Sequence, residues 1–131
     1  MTLEVILLKA HSGIRWLVLL AIIAGLFGLV RGWWRDAEHH QRERRIWGLV
    51  YSVLMDLQLL LGALLLFMLS AWWAWPHVVS MLLAVACAHV GTIWGRLSPE
   101  RANPSIPRLA YLLSFLLVLV GLGFIPRGFG F

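Results

Sequence analysis

The chain has 131 residues, 61% of them apolar and 13% charged, and a mean hydropathy of +0.85. A soluble domain is roughly half apolar and a quarter charged, so this composition excludes an ordinary water-soluble globule and predicts an integral membrane protein of one domain, residues 1–131. The net charge of +5 then belongs to loops beside anionic lipid, and nucleic acid is not the expected partner. Cys87 is the single cysteine, so no intrachain disulfide forms. The opening stretch MTLEVILLKAHSG lacks a basic leader and a small-residue cleavage site, so it is expected to be retained.

Four apolar runs follow one another at residues 10–32, 46–70, 77–95 and 109–126, each 18 to 25 residues long. Spanning needs about 20 residues at 1.5 Å each. Backbone groups without water must be satisfied inside each segment, so the runs predict four transmembrane helices. Short connections predict an all-α, antiparallel up-down bundle. The first loop holds Arg31, Arg35, Arg42, Arg44 and Arg45, and the third holds Arg96, Arg101 and Arg108. That is eight of eleven basic residues on one side. The positive-inside rule makes this side cytoplasmic and both termini external, in a multi-pass membrane protein. Trp33, Trp34, Trp47 and Trp94 fall at the inner helix ends, and Trp16, Trp72, Trp73 and Trp75 at the outer ends. Two interfacial belts are expected.

The first loop also carries His39 and His40 amid charges of both signs, which reads as a solvated connector facing lipid headgroups. The third loop, RLSPERANPSIPR, holds three prolines and is expected to be an irregular linker.

Few polar residues lie within the spans, and each is costly there. His11 is expected at the outer start of helix one, with Arg15 about 6 Å deeper on the same side. His77 begins helix three at matching depth. At 100° per residue, Ser80, Met81, Ala84, Ala88 and Gly91 share the His77 face, and Ala21, Gly25, Gly28 and Gly32 line a face next to His11. Small residues of this kind let helices approach, or leave room for a flat macrocycle. Two imidazoles from facing helices can fill both axial positions of a haem iron, and Arg15 can fork onto a propionate. The alternative makes both histidines interfacial caps, with Arg15 snorkelling outward.

His89 stands 12 residues past His77, roughly 18 Å deeper and about 120° round the helix, so it leaves that face. No neighbouring span supplies a partner histidine for a second haem. Asp56, near mid-membrane in helix two, must be protonated or paired, and Arg15 and His89 are the candidate partners. It reads as an interhelical tie to Arg15, as a proton relay, or together with Gln58 as part of a quinone headgroup pocket.

The segments HSGIRW at 11–16, D-x-Q-L-L-L-G at 56–62 and P-H-x-x-x-M-x-x-A at 76–84, with the Y-L-L…I-P ending at 111–126, resemble small bacterial four-helix proteins labelled cytochrome b-like. The resemblance covers nearly the whole chain. It implies a haem b-type membrane subunit, with His11 and His77 as the matching histidines. The expected function is therefore electron transfer by a one-haem, bis-histidine cytochrome b. Its partners would be quinone and other subunits of a respiratory or photosynthetic complex, with Asp56 and Gln58 near the quinone. The rival is a cofactor-free accessory subunit packed against larger membrane partners. A proton-coupled carrier using Asp56 and His89 lacks an internal repeat for alternating access.

Overall fold

A computed structural model describes residues 1–35, 39–96 and 105–126. Thr2 opens the first helix: its hydroxyl accepts from the Val5 amide (3.4 Å), and Glu4 lies in the first turn, where the helix dipole favours it. Helix α1 then runs Leu3–Arg31 and closes on Gly32, whose φ of 85° is the left-handed conformation that suits glycine. Helix α2 spans Gln41–Leu69, and a 3₁₀ turn at Trp72–Ala74 leads into α3, Trp75–Gly95, with Pro76 in its first turn. Helix α4 is Ser105–Gly123. All four helices are long and apolar enough to cross a membrane, so the chain is a multi-pass four-helix membrane protein.

The observed helices begin earlier than the apolar runs. Helix α1 starts seven residues ahead of the predicted position 10, and α2 takes in the charged residues Arg42 to Arg45. Hydropathy marks where lipid begins, whereas a capped helix continues into the headgroup layer because its backbone stays satisfied there. His11 consequently lies inside α1, in its third turn, and does not begin the helix. Arg101 and most of the expected proline-rich linker lie outside the described residues.

The hydrogen bonds between helices set direction and register. Trp47 Nε1 donates to the Ala21 carbonyl and Gln58 Nε2 to the His11 carbonyl, both at 2.8 Å. Moving up α2 therefore means moving down α1. Ser52 with Thr92 and Asp56 with His89 do the same for α2 and α3, and His77 with Gly121 and Ser80 with Leu117 for α3 and α4. Successive helices are antiparallel neighbours, as the up-down bundle requires.

The small-residue faces pack helix against helix. Gly91 lies under the Tyr111 ring, where an added Cβ would stand 3.0 Å from it. Ser80 donates to the Leu117 carbonyl at 2.6 Å, and Ser114 donates to the Ala84 carbonyl at 2.8 Å. Much of the predicted small face of α3 is thus the seat of α4. On α1, Gly25 makes room for the indole of Trp47, and Gly28 for that of Trp33.

Of the inner tryptophans Trp94 is exposed as a belt requires, and the other three depart from it. Trp34 and Trp47 are buried and join Trp33, Tyr51, Tyr111 and Phe115 in an aromatic core at the arginine-rich end. Trp47 stacks on Tyr51, centroids 5.3 Å apart and planes within 7°. The outer tryptophans Trp16, Trp72, Trp73 and Trp75 are exposed as a belt requires.

Candidate functional site

At the end of the bundle opposite the arginines, all four helices line one pocket of about 300 Å³. From α1 come His11 and Arg15, from α2 Met55, Gln58 and Gly62, from α3 His77 and Met81, and α4 closes it with Val118 and Leu122. The rest of the wall is mostly leucine, valine and alanine. The pocket sits at the lower end of the roughly 300–1,000 Å³ range of small-molecule sites, so a single group fills it.

Each imidazole is held by its neighbours. His77 Nδ1 lies 2.8 Å from the Gly121 carbonyl. A carbonyl only accepts, so Nδ1 carries the proton and Nε2 keeps the lone pair. Metal-ligating histidines are oriented this way, by donating the second ring N–H to a backbone carbonyl. The His11 ring packs on Gly62, where an added Cβ would come within 3.1 Å of Cε1. A helix position without a side chain thus makes the space the imidazole occupies. Gln58 clamps the His11 backbone carbonyl from α2 at 2.8 Å. His11 Nδ1 and Gln58 Oε1 are buried with no hydrogen-bond partner among the described residues. Buried polar atoms are nearly always paired, so two orphans in one pocket mark a place for a ligand.

These residues fit a haem in their donor chemistry. Two imidazoles from different helices line one apolar pocket, one with its tautomer set and one with an unpartnered nitrogen. The guanidinium of Arg15 on the same wall suits a carboxylate.

The other predicted site residues separate. Gln58 belongs to the pocket. Asp56 does not: it points out of the bundle, where Oδ1 meets His89 Nε2 at 2.7 Å, both side chains about half-exposed (51% and 43%). The carboxylate's partner is therefore His89 from α3, in place of the expected tie to Arg15. Two residues apart on a helix, Asp56 and Gln58 face 200° apart, so they do not form one headgroup pocket. His39 and His40 stack edge to face at 4.7 Å, and His40 approaches Glu43 at 3.8 Å. No group of three or more metal-ligating side chains occurs among the described residues.

Sequence reasoning misses Gly62 and the Gly121 carbonyl, because a missing side chain and a backbone atom carry no chemical signature. It also misses two polar networks. Thr92 donates to the Ala88 carbonyl at 3.0 Å and accepts from Ser52 at 2.7 Å and Tyr111 at 2.9 Å. Tyr51 donates to Ser114 at 2.8 Å. Hydroxyls in three of the spans were the available signal.

Fold and pocket together define a four-helix membrane protein with a paired-histidine pocket at one end. Comparison with known proteins finds no matching family model, no matching curated protein and no similar solved structure.

Proposed function

We propose that the chain is a membrane electron-transfer subunit holding one haem b between His11 and His77. It would work in a bacterial inner membrane with both termini outside, beside other subunits of a respiratory or photosynthetic complex that exchanges electrons with a quinone pool. The observation that carries this reading is the shared pocket: imidazoles from α1 and α3 line one apolar cavity together with a guanidinium.

Haem b supplies a reversible one-electron couple. The chain's own residues do the rest. His77 is pre-set to offer Nε2 because its Nδ1–H donates to the Gly121 carbonyl. Gln58 holds the α1 backbone at His11, and Gly62 leaves the ring its space. Arg15 offers a cation to a propionate, and leucines and valines make most of the pocket wall apolar.

A reduced-minus-oxidised spectrum of the purified protein tests this. A b-type absorbance that disappears in both His11→Ala and His77→Ala is expected. A haem-reconstituted wild type without that absorbance, or an absorbance untouched by His77→Ala, refutes it.

One observation favours a second reading, the cofactor-free accessory subunit. Asp56 and His89 meet on the outer surface of α2 and α3, half-exposed. A polar pair at that depth is costly against lipid tails and inexpensive against a neighbouring subunit. Stoichiometric co-purification with membrane partners and no chromophore in this chain would decide for it.

A further inference from the structure

The opposite end of the bundle holds a second cavity, of about 390 Å³, between the starts of α2 and α4 and the end of α3. Arg44, Arg45 and Arg96 line it, with Thr92 and Tyr111 at its floor. Among the described residues, no carboxylate lines it. The acid nearest in sequence, Glu43, is engaged with His40 at 3.8 Å. Three arginines at one cavity repel one another through their like charges, and an anion bound among them would relieve that repulsion. One is already built in: Arg44 is half-buried, its Nη1 donates to the Trp33 carbonyl at 3.4 Å, and its Nε is buried without a partner among the described residues. The floor is rigid, because the Tyr111 hydroxyl is tied to Thr92 and Thr92 to the α3 backbone.

We propose that this cavity binds a phosphate group, independently of the haem reading. Arginine recognises phosphate through paired N–H donors, and an apolar-walled recess strengthens each contact. The location selects the source. Ile46 and Leu49 line the same cavity and are exposed on the surface of α2. A headgroup between the arginines would therefore lay its acyl chains along that face. Basic recesses between spanning helices take acidic phospholipid heads in this manner.

Native mass spectrometry of the full chain in detergent provides the test, with phosphatidylglycerol, cardiolipin or phosphatidylcholine added in turn. The two acidic lipids should be retained and phosphatidylcholine lost. Arg44→Gln and Arg96→Gln should each weaken retention about fivefold, the effect of one arginine at a charged lipid surface. Lys9→Gln, at the other end, should leave it unchanged. A parallel thermal-shift titration with inorganic phosphate against chloride at equal ionic strength separates the sources. Stabilisation by phosphate without lipid selectivity upholds the phosphate site and moves its source to solution. Wild-type protein that neither discriminates among the lipids nor responds to phosphate overturns the proposal, and this result needs no variant to fold. Undiminished retention in a monodisperse, helical Arg44→Gln/Arg96→Gln protein overturns it as well.

Discussion

Replacing Gly25 with alanine probes the packing at the aromatic core. An ideal Cβ there would lie 2.9 Å from Cε2 of Trp47 and 3.0 Å from Cζ of Phe115, whereas carbon atoms rest at about 3.5–4.0 Å. Trp47 Cζ2 is nearer still, so the indole must retreat by more than about 1 Å, and it is clamped. Its Nε1 donates to Ala21 at 2.8 Å, its face stacks on Tyr51, and Tyr111 stands edge-on at 4.7 Å. Overpacking of this kind costs about 1–3 kcal/mol, and loss of the indole hydrogen bond adds about 1 kcal/mol. Alanine's better helix propensity returns about 0.5–1 kcal/mol. The net loss is about 2 kcal/mol, or roughly thirtyfold in the unfolding equilibrium. Unfolding in mixed micelles with increasing dodecyl sulfate, followed by far-ultraviolet circular dichroism, measures it. Gly13→Ala and Gly95→Ala are the controls, since no atom lies within 4 Å of a Cβ at either position. Both should match or slightly exceed the wild type. Adding Trp47→Phe should couple with Gly25→Ala, the pair costing less than the sum. A Gly25→Ala protein as stable as Gly13→Ala would refute the close approach of α1 to Trp47.

Three further substitutions test other parts of the structure. Gly62→Ala crowds the His11 ring by a few tenths of an ångström; at about 1 kcal/mol of misfit it should lower haem retention about fivefold while helicity is unchanged, read as the haem-to-protein ratio. Asp56→Leu and His89→Leu should each destabilise by about 1 kcal/mol, and the double variant should recover most of the loss, because each single change strands a polar partner in lipid; simple additivity in the same micelle assay would count against the pair. Ser70 caps α2 with φ 50° and ψ 38°, a left-handed conformation strained for any residue with a Cβ, so Ser70→Gly should raise stability by roughly 1 kcal/mol.

Hydropathy alone determined that there are four spans and, with loop lengths, that they alternate. The reason is physical: a backbone without water must close its own hydrogen bonds, so a long apolar run in this chain has only the helix available. That His11 and His77 stand at one level, where they line one pocket, was also legible, because equal distance from a membrane edge follows from residue counts in two spans. Asp56 was recognisable as a residue in need of a partner.

The tertiary structure alone decided which way each helix is turned. In water the apolar stripe of a helix identifies its buried face, but lipid is as apolar as a core, and that cue vanishes. Val18 is 3% exposed and Leu20 61%, and nothing in their hydropathy separates them. Rotation about the axis is settled by fit between surfaces: Gly25 under Trp47, Gly91 under Tyr111, and Ser80 against the Leu117 carbonyl. That rotation sent Asp56 outward to His89 and Gln58 inward to the pocket, and it gave the small face of α3 to α4. It also gathered Arg44, Arg45 and Arg96 around one recess. Depth is a sum over residues and can be counted along the chain, whereas azimuth depends on what the neighbouring helix presents.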